Sequence, residues 1–309
     1  MNGPAHRPGA SCARCREPMR AQDRFCELCG TPAGTNAGRD HDRSELRAGR
    51  AAGITDRGLR HLRNEDALAL RILEPRAGET TGATLCVVCD GVSSTPRPHE
   101  ASAAAVTAGA QALAAALSAG RDGCDATEQA LRDAAAAVAD LVDPATPDEV
   151  PACTYVSATL VGGIVTIGWI GDSRAYWIPE PGGEHAVRLT EDDSWLTAVL
   201  ADGALSPAQA AADRRAHAIT GWLGADNPRY RAHCTTVRPT GPGVIVVCTD
   251  GLWNYMENPD ALAAALPANA AEDALGAAAE LTRTALRAGG RDNITVAILP
   301  VDPEPGGPS

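Results

Sequence analysis

Three aspartates stand where apolar runs break off or begin. Asp90-Gly91 follows Leu85–Cys89, Asp250-Gly251 follows Val244–Thr249, and Asp292-Asn293 leads straight into Ile294–Leu299. An Asp at the end of a buried strand puts a carboxylate on a rigid mount at the rim of the core. The Gly after it lets the backbone turn sharply and brings its carbonyl oxygen near whatever the carboxylate holds. Carboxylates gathered in this way repel one another unless a cation lies between them. Hard divalent cations with oxygen ligands, Mg²⁺ or Mn²⁺, meet that need. A single Asp-Gly reads as an ordinary turn. An ordered set, with Asn64-Glu65-Asp66 upstream and Gly171-Asp172-Ser173-Arg174 between, reads differently.

A second metal pattern lies at the start of the chain. Cys12-x2-Cys15 and Cys26-x2-Cys29 are two knuckles, with Gly30 supplying the turn after the last sulfur. Four thiolates at this spacing suit one tetrahedral zinc. The segment is too short to build a core, so the metal must supply its folding energy. Residues 1–33 are therefore expected to form a four-cysteine zinc ribbon. Residues 34–50, rich in Gly, Asn, Arg and Asp, are expected to be a flexible linker.

Composition excludes other chemistry. All 27 basic residues are Arg, so no P-loop, kinase or Schiff-base lysine is present. Residues 1–50 hold nine Arg against six acidic residues, whereas residues 51–309 hold 18 against 33. A body this acidic is a poor non-specific partner for nucleic acid or anionic lipid. No segment reads as a signal peptide or a membrane span. The expected setting is cytoplasmic, with the ten cysteines mostly thiols or metal ligands. Cys124, Cys153, Cys234 and Cys248 read as small hydrophobes. Cys86 and Cys89 would face opposite sides of one strand and so not chelate.

The elements that must position these residues follow from apolar patterning. Strands are expected at 68–73, 83–89, 155–161, 164–170, 175–178, 234–237, 244–248 and 294–299, and helices at 100–119, 125–142, 194–201, 207–213, 259–266 and 271–288. Short turns at Gly162-Gly163 and Gly171-Asp172 imply antiparallel hairpins. The class is α+β, with helices covering antiparallel sheets, over residues 51–300, and 301–309 form a disordered tail. Asp192-Asp193 reads as the cap of the helix near Ser194. The five tryptophans read as packing residues in a core poor in Phe.

In order, the chain carries TDRGLRHLRNEDA (55–67), VVCDGV (87–92), GDSRAYW (171–177), LTEDDS (189–194), VVCTDGLW (246–253) and GGRDNITV (289–296). This series resembles the metal-dependent protein phosphatases, the protein phosphatase 2C or PPM family, of bacterial type, over about residues 51–300. The zinc ribbon is not part of that family's usual domain. The resemblance implies a four-layer α-β-β-α sandwich with a dinuclear Mn²⁺ or Mg²⁺ site, and dephosphorylation of phosphoserine and phosphothreonine by a metal-bridging hydroxide. Asp90 would bridge the metals, and Asp250 and Asp292 would complete one shell. The Gly91 carbonyl would bind the other metal, held also by Glu65 and Asp66, partly through water. Asn293 would orient Asp292 or close the turn.

Three positions depart from the family pattern. Where relatives carry a phosphate-gripping Arg, this chain has His61, with Arg60 and Arg63 beside it. Where many carry a general-acid His after Asp-Gly, it has Val92, and His99 reads as a solvated loop residue. A third metal site would use Asp172, but its partner position is Asn254, and Arg174 reads as an ion-pair partner for Asp172. The expected partners are a phosphoprotein substrate and, through the ribbon, a Ser/Thr kinase or its targets. The rival readings are a catalytically weak scaffold of the same fold and a nucleic-acid binder acting through the ribbon.

Overall fold

Strands covered on both faces are written as unbroken apolar runs rather than as an alternation. Gly243–Cys248 and Ile294–Val301 are buried at every residue. The computed structural model describes residues 42–75, 82–181 and 185–302. The chain divides into two compact units, Met1–Ser44 and Glu45–Ser309. The expected ribbon, with Cys12, Cys15, Cys26 and Cys29, lies outside the described residues.

The described elements run β1 (Arg43–Ala48), β2 (Ala51–Asp56), β3 (Ala67–Leu73), β4 (Ala83–Cys89), α1 (Pro98–Ser118), α2 (Gly123–Ala139), β5 (Tyr155–Val161), β6 (Ile164–Ile170) and β7 (Arg174–Pro179). They continue with β8 (Val187–Arg188), α3 (Trp195–Ala201), α4 (Pro207–Ala211), β9 (His233–Val237), β10 (Gly243–Cys248), α5 (Asp250–Trp253), α6 (Pro259–Ala265), α7 (Ala274–Arg287) and β11 (Ile294–Val301). One sheet has the order β1-β2-β11-β10-β7-β8 and the other β3-β4-β5-β6-β9. Each pairing whose register is described is antiparallel.

Three apolar layers hold the two sheets and their helices together. Between the sheets lie Cys86, Val88, Val156, Ile167, Ile245, Val247 and Ala297. Helices α1 and α2 cover the second sheet through Ala101, Ala105, Leu113, Leu131 and Val138. Helices α6 and α7 cover the first through Leu262, Ala278 and Leu281. Alanine dominates the helix faces, so backbones approach closely and few aromatics are needed. Cys86 faces the inter-sheet layer and Cys89 the α1–α2 layer, the opposite facing that strand alternation demands. Helix α1 has the length and apolarity of a membrane span, but its apolar side is packed on the sheet.

Several expectations need correction. Residues 43–48, within the stretch read as a linker, form β1, whose polar side chains suit a sheet edge. Val301, read as tail, closes β11 as a fully buried residue. Ser194, not Asp192 or Asp193, caps α3 through its side chain. Cys124 and Cys234 are not independent small hydrophobes; they form a disulfide between α2 and β9. The other described cysteines, Cys86, Cys89, Cys153 and Cys248, are free and buried.

Candidate metal centre

The carboxylates collect at one end of the two sheets because the strands that carry them end or begin there. Asp90 follows β4, Asp250 follows β10, Asp292 lies two residues before β11, and Asp172 sits in the β6–β7 turn. Asp66 is the last residue before β3 in the loop from β2.

Asp66 is buried, at 8% exposure. Its Oδ2 accepts hydrogen bonds from Thr249 Oγ1 at 2.9 Å and Thr295 Oγ1 at 2.7 Å. Thr295 also donates its backbone N–H to Thr249 Oγ1 at 3.0 Å, tying the start of β11 to the residue that follows β10. The other oxygen, Oδ1, is buried with no hydrogen-bond partner among the described residues. A buried carboxylate oxygen left unpaired is costly unless a cation or water meets it.

Charge repulsion spreads through the group. Burial, opposed by the two threonines and reinforced by Asp250 and Asp292, raises the Asp66 pKa from 3.8 to about 7. Burial and Asp292 raise Asp250 to about 6. Burial, Asp250 and Asp192 raise Asp172 to about 8. Burial raises Asp90 well above the carboxylate range, with Asp66, Asp250, Asp172 and Asp292 adding to it. Asp66, Asp90, Asp172 and Asp250 are each hard to ionise without a counter-cation. Among the described residues no three His, Cys, Asp or Glu side chains already converge as a finished coordination shell. Instead, Asp250 hydrogen-bonds to Asp90 and accepts from Asn254 Nδ2 at 3.2 Å. An all-oxygen, strongly anionic donor set with one unpaired buried oxygen fits a hard dication.

The loop from β2 to β3 is tied down by Asn293. Its Oδ1 accepts from Glu65 N at 2.7 Å, and its Nδ2 donates to Arg57 O at 2.7 Å and Arg63 O at 3.1 Å. Its backbone N–H bonds Asp292 Oδ1 at 2.8 Å. Asn293 thus holds the loop as well as the turn. Gly91 is needed for close approach rather than for a left-handed turn: a Cβ there would meet Glu65 O and Pro98 O. Gly251 likewise has no room for a Cβ against Asn293 O.

His61 turns inward. Its Nε2 lies 3.1 Å from Asp292 Oδ1, and its Nδ1 lies 3.9 Å from Glu65 Oε2, which also accepts from Ser93 Oγ at 2.7 Å. Arg60 is exposed, and Arg63 points to the His99 ring, 3.2 Å from Nε2. His99 is therefore not a solvated loop residue; it lies in the first turn of α1. Arg174 does not pair with Asp172. It makes a two-pronged bond to Asp192, at 2.9 Å and 2.6 Å, and stacks over Trp253 at 3.5 Å.

The threonines, Asp192 and a further pair, His233 and Asp193, were not singled out as site residues from sequence. Thr249 ends the apolar run of β10 and Thr295 interrupts that of β11, but nothing in the sequence says which carboxylate they serve.

A family model described as Protein phosphatase 2C matches residues 57–282. Among solved structures, the PPM Ser-Thr phosphatase MsPP from Mycobacterium smegmatis in complex with cacodylate is 27% identical, covering 84% of this chain and 99% of that one, with a TM-score of 0.62. The Mycobacterium tuberculosis serine/threonine phosphatase PstP/Ppp is 24% identical over 84% of this chain and 100% of that one, TM-score 0.63. The catalytic domain of PstP in complex with two manganese ions is 23% identical over 84% and 99%, TM-score 0.62. No curated protein sequence matches the chain.

Proposed function

The chain belongs to the protein phosphatase 2C family of serine/threonine phosphatases, which are hydrolases, and on that premise we propose that it dephosphorylates phosphoserine and phosphothreonine in protein substrates using Mn²⁺ or Mg²⁺. The observation that carries this reading is the buried carboxylate group around Asp66, with its unpaired oxygen. Asp66, Asp90, Asp250, Asp292 and the Gly91 carbonyl would hold two cations, with Glu65 behind them and Asp172 at a third position. When bound, the cations supply a water acidic enough to act as nucleophile at neutral pH and neutralise the phosphoryl oxygens.

The chain's own groups do the rest. Asn293 fixes the loop that carries Glu65 and Asp66. Thr249 and Thr295 hold Asp66 so that only Oδ1 faces the site. His61, which faces Asp292 and Glu65, is the side chain placed to donate to a phosphate oxygen. With Val92 standing where many relatives carry a general-acid His, water or the substrate's own surroundings would protonate the departing alkoxide.

The ribbon with zinc on Cys12, Cys15, Cys26 and Cys29 is proposed as a docking module for a Ser/Thr kinase or its targets, in a cytoplasmic setting. A second reading, a weakly active scaffold, is favoured by His61 and Asn254 standing where relatives carry Arg and Asp.

Hydrolysis of p-nitrophenyl phosphate with Mn²⁺, Mg²⁺ or EDTA tests the proposal. Activity is expected with either cation and not with EDTA. Asp250→Ala is expected to lower it by about 100-fold or more, the few kcal/mol that metal-assisted charge stabilisation supplies. Inactivity of the folded wild type from mildly acidic to mildly alkaline pH would leave the scaffold reading in its place.

A further inference from the structure

Cys124 and Cys234 lie 110 residues apart in sequence and tie α2 to β9, the edge strand of the second sheet, with Cα atoms 6.0 Å apart. Cys234 is exposed, whereas Cys86, Cys89, Cys153 and Cys248 are all buried. A pocket of about 220 Å³, lined by Leu131, Arg132, Tyr230 and His233, opens beside Cys234. Among the described cysteines, a dissolved thiol therefore meets this pair first. The Thr236 hydroxyl stands 3.6 Å from Cys124 Sγ, where it can donate to that sulfur as it takes up charge.

The residue before Cys234 leads back to the turn that carries Asp172. His233 stacks on Trp169, with ring centroids 4.9 Å apart, and its Nε2 lies 2.9 Å from Asp193 Oδ1. Asp193 Oδ2 accepts the Gly171 N–H at 2.9 Å. Gly171 has a φ of +98°, accessible to glycine, and is followed directly by Asp172.

We propose that Cys124–Cys234 is a thiol–disulfide exchange site, reduced by a small dithiol and re-formed by peroxide, whose state sets how firmly the Gly171–Asp172 turn is held. A thiolate of the dithiol attacks Cys234 Sγ, the protein S–S bond breaks, and Cys124 leaves as a thiolate. The second thiolate of the reagent then attacks its own sulfur in the mixed disulfide. Cys234 departs as a thiolate, both cysteines take protons from solvent, and the reagent ends as its cyclic disulfide. In reverse, peroxide accepts two electrons and two protons from the thiols and leaves as two waters. The exchange step stands without the phosphatase reading; any consequence for turnover rests on it.

The test uses the full chain with dithiothreitol and then hydrogen peroxide, followed by non-reducing peptide mapping and amide hydrogen exchange. The linked peptide is expected to open with dithiothreitol and return with peroxide. Amides in 169–173 and 233–237 are expected to exchange about tenfold faster when reduced. Cys234→Ser should show the faster rates without any dithiol response, and the wild-type comparison holds even if that variant folds poorly. A linked peptide that survives dithiothreitol in the folded protein, or one that opens while 169–173 keeps its exchange rate, would overturn the proposal. Because exchange is read without substrate, its failure is distinguishable from inactivity on p-nitrophenyl phosphate.

Discussion

His61 shows how one side chain can decide the strength of a site. It faces Asp292 and Glu65 at 26% exposure, in the position where the resembling family carries Arg. A guanidinium keeps its charge and grips two oxygens, which imidazole cannot. His61→Arg is therefore expected to lower KM for p-nitrophenyl phosphate by about tenfold, the scale of one charged hydrogen bond, with kcat changed less. An unchanged KM would place the phosphate elsewhere. The carboxylates make a pH prediction. Asp66, Asp250 and Asp172 are raised to about 7, 6 and 8 from 3.8. Above about pH 4 the unfolded chain sheds protons that the folded group retains, so stability falls as pH rises toward 8. Melting in EDTA should drop between pH 6 and pH 8, and Mn²⁺ should reverse the drop by binding the ionised folded form. A melting temperature in EDTA that rises across that interval would contradict the packing of these groups. The five aspartates were legible in sequence because each stands at a break in an apolar run. Their supports were not: Thr295 serves Asp66 from 229 residues away, and Arg174 bonds both oxygens of Asp192, 18 residues on, rather than its sequence neighbour Asp172.

Elements were legible where burial was uniform and illegible where it was partial. β4, β5 and β6 match their apolar runs end to end. β2, Ala51–Asp56, is absent from the expected strands because small residues and a central Gly give it no apolar run. Gly53 belongs there because Leu68 and the Val296 carbonyl leave no space for a Cβ. α5 is four residues long and cannot show a helical period. The joint between elements that matters most is Asn293, which joins the entry to β11 to the loop after β2. Asn293→Ala removes three side-chain hydrogen bonds and should cost about 2–4 kcal/mol in urea unfolding. It should also raise the Mn²⁺ concentration needed for half-maximal activity. A loss under about 0.5 kcal/mol would show that water replaces those bonds.

Across the whole molecule, residues from Thr55 to Thr295 build the carboxylate group and its supports. Removal of residues 1–41 is therefore expected to leave p-nitrophenyl phosphate turnover within about twofold. Removal of 1–50 also strips β1 from the sheet and should lower the melting temperature by several degrees. A collapse of turnover on the shorter deletion would show that the first unit takes part in catalysis. Strand order was the least legible feature, because adjacency in a sheet is set by which faces close together and not by sequence proximity. β11 shows this: it lies between β2 and β10, pairing with both. During synthesis, β2 and β10 must wait for residues 294–301 before either gains that neighbour. Such distant pairing folds slowly and exposes strand edges meanwhile. Asp292 reaches the group only with that same segment, so a nascent chain emerging from the ribosome has no complete carboxylate cluster until the first sheet can close.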